Sequence, residues 1–197
     1  MRTIKTFLVI GIALLSIKAM VPIKNTYTLD KDYAVTINGT SNLHNWDEKV
    51  KTVTGEGIVN WNGEENFDLE SINIKMVVHS IRSDMGIIMN TNTYKALKAD
   101  ANPDIFFSLT SPIRSLQIKS NGKMISAKGN LTIAGVTKAV DMQVKILMPE
   151  HGKLVFEGSQ SIQMTDYGIK PPVALFGTLK TGNEITINFK TNFSINN

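Results

Sequence analysis

The sequence predicts an all-β protein, folded as one closed antiparallel barrel of about eight or nine strands. Apolar and polar residues alternate from Tyr27 onward, which is typical of strands that bury one face and expose the other. Turn sequences such as Asn62-Gly63 and Asn121-Gly122 separate the runs, and Asn-Gly favours tight hairpins between antiparallel neighbours. We expect the sheet to close, because closure removes the exposed edges of strands with this much apolar surface.

The alternating runs give the predicted strands in chain order. Lys, Asn, Gln and Thr fill the positions between the apolar residues, as at Lys75 and Gln143, and these positions are expected to face solvent. The runs occupy 33–37, 53–61, 72–78, 105–109, 125–133, 140–148 and 185–195.

A segment at 84–100 interrupts the strand pattern and predicts a short helix that acts as a lid. Thr91 or Asn92 is a candidate N-cap, and Pro103 prevents the helix from continuing. The segment is too apolar for an ordinary connection, so we expect it to cover one end of the barrel. A second apolar connection at 171–177 covers either the same cavity or a corner of the core.

The first 19 residues have the pattern of a secretory signal peptide. Basic residues precede about a dozen mostly apolar residues at 6–17, a run shorter than the roughly 20 residues that span a bilayer. An uncleaved anchor or a buried first strand is the alternative. Cleavage after Ala19 predicts an exported protein with one domain at 25–197.

The net charge of +4 suggests a polyanionic partner until the signal peptide is removed. Cleavage removes Arg2, Lys5 and Lys18, which leaves 18 basic residues against 17 acidic ones. The remaining Lys residues are spread singly along the strands, so no basic stripe is available to neutralise phosphates. Nucleic acid is therefore excluded as a predicted partner.

No motif predicts a catalytic residue, a metal site or a cofactor. The chain has no Cys, which excludes disulfides, thiol nucleophiles and Cys-ligated metals. His44, His79 and His151 lack the spacing of paired ligands, and no Gly-rich phosphate loop is present. His44 lies beside Trp46 in an unusual turn, where it is either a polar group near a cavity mouth or part of a loop fixed by the Trp.

The apolar share of 42% allows two interpretations. Inward side chains either fill the barrel as a packed core or leave a cavity for an apolar ligand, since eight strands permit both. The nine Met residues suit an adaptable cavity, because thioether side chains conform to irregular shapes, but composition alone favours neither interpretation.

Several stretches together resemble the YceI-like family of periplasmic, lipid-binding, lipocalin-like barrels. The resemblance implies an all-β, eight-stranded antiparallel lipocalin-like barrel that binds an isoprenoid or fatty-acyl chain, without catalysis or a metal. The stretches are Tyr27-Thr28-Leu29-Asp30, 39–46, 78–83, Tyr94-Lys95-Ala96-Leu97, 102–107 and, most specifically, 129–138.

The predicted function is therefore a periplasmic carrier or store for a long apolar lipid, with a monomeric or homodimeric state and transient membrane contact. The alternative is a non-enzymatic stress-response or interaction module whose barrel is filled. Strand alternation and the lid segment give the predicted ligand-binding residues. They are Val35, Ile37, Met76, Val78, Met85, Ile88, Met89, Tyr94, Leu97, Phe107, Leu131, Met142, Val144, Phe156, Ile187 and Phe189.

Overall fold

The computed structural model describes residues 23–63, 65–119 and 121–196. The predicted signal peptide at 1–19 lies outside these residues. One α-helix, α1 (Ile87–Leu97), and twelve strands form the described fold, with short 3-10 helices at Val78–Ser80, Met164–Tyr167 and Leu175–Gly177. The strands are β1 (Ile23–Ser41), β2 (Asn45–Val50), β3 (Val53–Trp61), β4 (Asn66–Val77), β5 (Ile81–Arg82), β6 (Asp104–Leu109), β7 (Ile113–Gln117), β8 (Lys123–Ile133), β9 (Val136–Leu147), β10 (Lys153–Gln163), β11 (Val173–Ala174) and β12 (Leu179–Ile195).

The sheet closes into an eight-stranded antiparallel barrel, as predicted. Around the barrel the strands follow the order β1, β3, β4, β6, β8, β9, β10 and β12, and β12 pairs back onto β1. Tyr27 lies opposite Ile195 at one end of this closing pair and Ile37 lies opposite Ile187 farther along. The first and last strands of the domain therefore form the seam of the barrel.

The shorter strands extend the walls of the barrel instead of adding new ones. The first half of β1 pairs with β3, whereas its second half pairs with β2. In the same way β4 pairs with β6 at one end and with β7 at the other. This sharing explains why more strands are observed than the eight or nine predicted.

The alternation seen in the sequence becomes an inner and an outer face. Along β8 every second residue from Ile125 to Ile133 is buried, and Lys128 and Asn130 between them are exposed. The pairing of Ala127 with Met142 places inward residues of neighbouring strands side by side. A single core thus runs through the barrel, and the polar residues that alternate with it along the strands lie on the outer face.

Aromatic side chains fill one end of the barrel. Trp61 packs against Phe67 with ring centroids 4.8 Å apart and against His151 at 4.9 Å. The Trp61 Nε1–H donates to the Tyr27 hydroxyl at 3.1 Å, so the buried indole is satisfied. Tyr27, Phe67 and Phe193 are almost fully buried. This end of the barrel is closed by packing.

Helix α1 lies across the opposite end of the barrel. It begins earlier in the sequence than the predicted N-cap. Gly86 occupies the N-cap with φ 94°, a conformation that favours glycine. Thr91, a predicted cap, is instead inside the helix, where its hydroxyl donates to the Ile87 carbonyl at 2.8 Å. In the described part of the chain no helix is long and apolar enough to cross a membrane.

Candidate functional site

Two cavities lie inside the barrel, one behind the other along its axis. The inner cavity has a volume of about 100 Å³ and lies in the middle of the barrel. The outer cavity, of about 120 Å³, lies beneath α1. Ile187 contributes to both walls. Together they form a discontinuous tunnel from the aromatic end to the helix-covered end.

Hydrocarbon and aromatic side chains from seven strands line the inner cavity. The polar exceptions are Gln160 and Thr191, and the Thr191 hydroxyl donates to the Phe156 carbonyl at 3.4 Å. A cavity with such walls stays dry and favours apolar occupants. The predicted residues at this cavity are Val35, Met76, Phe107, Leu131, Met142, Val144, Phe156, Ile187 and Phe189.

The outer cavity has more polar walls. Ile37, Met89 and Leu97 are the other predicted residues found here, together with Ile187. Asn92 and Thr93 add polar groups from α1. The second apolar connection also contributes, because Pro172 and Val173 line this cavity, so 171–177 covers the cavity predicted for the lid.

Four predicted residues line neither cavity. Val78 is fully buried in the core, whereas Met85 and Ile88 are 54% and 75% exposed. The Tyr94 hydroxyl donates to the Ile81 carbonyl at 2.7 Å and anchors the helix to the barrel wall. Helical geometry explains the division, because Met89, Thr93 and Ala96 share one face and Ile88 does not.

Strand β12 gives the length of the tunnel. Its alternate residues Thr181, Ile185, Ile187, Phe189, Thr191 and Phe193 line one cavity or the other. At about 3.3 Å per residue the span from Thr181 to Phe193 is about 40 Å along the strand, or about 30 Å along a barrel axis tilted by about 40°. An engineered cavity of about 150 Å³ holds one benzene. Each cavity in the barrel therefore has room for a short chain segment, and a longer ligand requires side chains to move.

A buried carboxylate, Glu48, is the functional candidate that sequence reasoning missed. Glu48 is 2% exposed on β2 and lines the outer cavity. The Thr93 hydroxyl of α1 donates to Glu48 Oε1 at 2.7 Å. Burial raises the pKa of Glu48 to about 7, with a further increase from Asp47 and an opposing decrease from the Thr93 hydrogen bond. The sequence signal that could have revealed Glu48 is period-two alternation, because Glu48 lies between Trp46 and Val50 on one strand face.

Trp46 forms the wall beside Glu48 and depends on a glycine. Its Nε1–H donates to the Thr40 carbonyl at 3.0 Å. The ring lies over Gly39, the cross-strand partner of Trp46, so closely that a Cβ at Gly39 would come within 2.2 Å of it. A side chain at Gly39 would push the indole away from the cavity wall.

An apolar rim surrounds the helix-covered end. We define the rim as the exposed residues Leu43, Met85, Ile87, Ile88, Val173 and Phe176. The turn that carries Leu43 is held to the connection that carries Phe176, because the Asn42 Nδ2–H donates to the Thr178 carbonyl at 2.8 Å. The Lys180 N–H also donates to Asn42 Oδ1, at 2.9 Å. The exposed apolar surface thus lies around the mouth of the outer cavity.

The histidines do not assemble a reactive site. His44 is exposed, its Nδ1 lies 2.9 Å from the Asn45 carbonyl oxygen, and it lines neither cavity. His79 stacks on Tyr94 with centroids 4.8 Å apart, and His151 packs on Trp61. Among the described residues no group of three or more His, Cys, Asp and Glu could hold a metal ion.

A curated relative and two solved structures are similar to the chain. A UPF0312 protein of Pseudomonas paraeruginosa is 39% identical over 66 residues, which cover 31% of this chain and 35% of that protein. The match thus spans about a third of the relative's length. A polyisoprenoid-binding domain from Saccharophagus degradans, implicated in plant cell wall breakdown, superimposes with a TM-score of 0.65 at 12% identity. That alignment covers 86% of this chain and 98% of the domain.

The second structure, BcnA of Burkholderia cenocepacia, has a TM-score of 0.63 at 16% identity and covers 83% of this chain and 98% of BcnA. At these identities the structures establish a shared barrel fold. The family model that describes the YceI-like domain matches residues 27–193, which include every strand of the closed barrel at least in part. The chain therefore belongs to the YceI-like family.

Proposed function

We propose that the protein binds an apolar chain, isoprenoid or fatty-acyl, inside the barrel and acts as a periplasmic carrier or store. The observation that carries this proposal is the tunnel, which has apolar walls in its inner part. Aromatic packing closes it at one end, and α1 and the connection at 171–177 cover it at the other. The polyisoprenoid-binding domain of Saccharophagus degradans, which shares the fold, supports the ligand class.

Burial supplies the binding free energy in this proposal. Transfer of each CH₂ group from water into an apolar site contributes about 0.8 kcal/mol. Immobilisation of the ligand and rearrangement of the tunnel oppose this gain. The Met side chains at 76, 142 and 89 line the tunnel, and their flexibility lowers the cost of rearrangement. No bond is made or broken, so the function requires no catalytic group.

The apolar rim supports transient contact with a membrane. A lipid moving between a bilayer and the tunnel would cross water unless the mouth of the tunnel touches the bilayer. The rim places exposed Leu, Ile, Met, Val and Phe side chains around that mouth, and such side chains partition into the boundary between head groups and acyl chains. The carrier would therefore dock with α1 toward the bilayer surface.

Export to the periplasm rests on the signal-like pattern at 1–19. Cell fractionation tests it: the full chain should accumulate in the periplasm, and a chain without residues 2–19 should remain in the cytoplasm.

Extraction of the purified protein tests the ligand class. Protein expressed with its first 19 residues and purified without detergent should yield a stoichiometric apolar molecule by organic extraction and mass spectrometry. The delipidated protein should then take up a long-chain fluorescent probe. A clean extract combined with no uptake of isoprenoid or acyl probes would reject lipid binding.

A further inference from the structure

Glu48 is an unusual residue for the wall of a lipid tunnel. Of the described residues that line the inner and outer cavities, Glu48 is the one with a charged side chain, and it is 2% exposed. The other residues around the outer cavity are apolar or neutral polar, such as Asn92, Thr93 and Thr181. The neighbouring cation Lys49 pairs with Asp84 at 2.9 Å. No described basic group lines the outer cavity to offset the charge on Glu48.

The protein uses little of the hydrogen-bonding capacity of this carboxyl group. Two carboxylate oxygens accept about four hydrogen bonds. In the described part of the chain the partner of the Glu48 side chain is the Thr93 hydroxyl, at Oε1. A buried carboxyl group with unfilled acceptor sites costs free energy, and a ligand that donates a hydrogen bond there recovers part of it.

The shape of the tunnel fixes the orientation of a ligand. The inner cavity is apolar and closed by the packing of Trp61 and Phe67, so the hydrocarbon chain occupies it. A polar head is then left in the outer cavity, which holds the polar groups of Asn92, Thr93 and Glu48.

We propose that the outer cavity is a head-group site, an inference that rests on the proposed lipid binding. In this site Glu48 selects apolar chains whose head group donates a hydrogen bond and carries no negative charge. Hydroxyl and amine heads meet this requirement. A carboxylate or phosphate head would place a second negative charge beside Glu48 in a poorly hydrated cavity, where like charges repel strongly. Glu48 thus acts as a specificity-determining residue.

Three ligands with the same chain and different heads test the assignment. Calorimetry should measure the binding of farnesol, farnesylamine and farnesoic acid to the delipidated protein at about pH 8, where the acid is ionised. We expect farnesol and farnesylamine to bind at least about tenfold more tightly than farnesoic acid. Equal affinities for the three ligands would overturn the head-group assignment while leaving lipid binding intact.

Glu48→Gln separates charge from shape. The amide keeps the size of the side chain but not its charge, so the affinities of this variant for farnesoic acid and farnesol should converge. Farnesoic acid should bind about tenfold more tightly than it binds to the wild type. Glu56→Gln, at an exposed position on β3, is the matched control and should change neither affinity. Unchanged discrimination in a folded Glu48→Gln protein would refute the role of Glu48. Failure of the wild type to bind all three ligands would reject the proposed lipid binding itself, and the inference with it.

Discussion

At the scale of single residues, Glu48 couples stability to pH. Its carboxyl is buried against the outer cavity, and its pKa is raised from 4.5 to about 7, chiefly because burial disfavours the charged form. The folded protein therefore binds more protons than the unfolded chain between these two values. Stability attributable to this group falls as the pH rises through that window and is constant above it.

Glu48→Gln should remove this dependence. Relative to wild type, we expect the variant to gain on the order of 2 kcal/mol in the free energy of unfolding above about pH 7, with the gain fading toward about pH 4.5. Urea denaturation across this pH range measures it. Glu56→Gln serves again as the control, and a Glu48→Gln gain that is the same at low and high pH would show that ionisation is not the cause.

Sequence reasoning reached many single residues but missed this one. Alternation alone placed Val35, Met142 and Phe189 on the strand faces that line the inner cavity. Residues 45–50 were not among the predicted strands, and a carboxylate between apolar positions is more often solvated. The missing information was which element covers the strand, and the Thr93 contact is made by a helix 45 residues away in sequence.

At the scale of elements, α1 divides its two faces between tunnel and solvent. Met89, Thr93 and Ala96 line the outer cavity, while Ile87 and Ile88 are 79% and 75% exposed. Isoleucines this exposed at the mouth of the tunnel bury little of their apolar surface within the described fold, and this favours the membrane contact proposed above.

Replacing Ile87 and Ile88 together by Glu should separate docking from binding. We expect association with phosphatidylethanolamine–phosphatidylglycerol vesicles to fall at least about tenfold, because the loss of two apolar anchors costs a few kcal/mol. Farnesol binding and thermal stability should be unchanged. Vesicle co-sedimentation provides the measurement.

The control is Phe106→Glu, at an exposed apolar position on the outer face of β6 that is not part of the rim. It should leave vesicle association unaffected. An equal decrease in both proteins would point to net charge rather than to docking through α1.

The helix itself was predicted, whereas its boundaries were not. A polar stretch with Thr91 and Asn92 favoured a late start, but Gly86 begins the helix at Ile87. The Asn90 side chain accepts a hydrogen bond from the Ser83 N–H at 2.8 Å and ties this start to the preceding segment. Such a tertiary contact leaves no periodic signal in the sequence.

At the scale of the whole molecule, the question is whether the interior is a tunnel or a filled core. The inner cavity of about 100 Å³ lies beside Met142. Met142→Trp tests the difference. In a ligand tunnel the indole occupies the cavity, so the protein should keep its melting temperature and lose at least about tenfold in farnesol affinity.

A filled barrel would respond differently, because overpacking a core costs about 1–3 kcal/mol. Met124→Trp, exposed on β8, is the control and should change neither property. If Met142→Trp destabilises the protein and the wild type binds no lipid, the result would favour the alternative of an interaction module with a filled barrel.

The barrel class was predictable because period two and Asn-Gly turns are local signals. Closure depends on a pairing between β1 and β12, whose residues Tyr27 and Ile195 lie at opposite ends of the domain. From the sequence, this seam could be predicted only indirectly, because closure removes exposed strand edges.

That seam also brings the two ends of the domain together. The Asn196 N–H donates to the Thr26 carbonyl at 2.9 Å, so a short linker could join the last strand to the first. The chain could then be opened elsewhere, for instance at the turn near Gly122, which has φ 79°. A circular permutant of this kind would keep every strand pair of the barrel. Its new chain termini would also lie at the aromatic end, because Lys123 pairs with Ile146 near the end of β9, and the helix-covered end would stay intact.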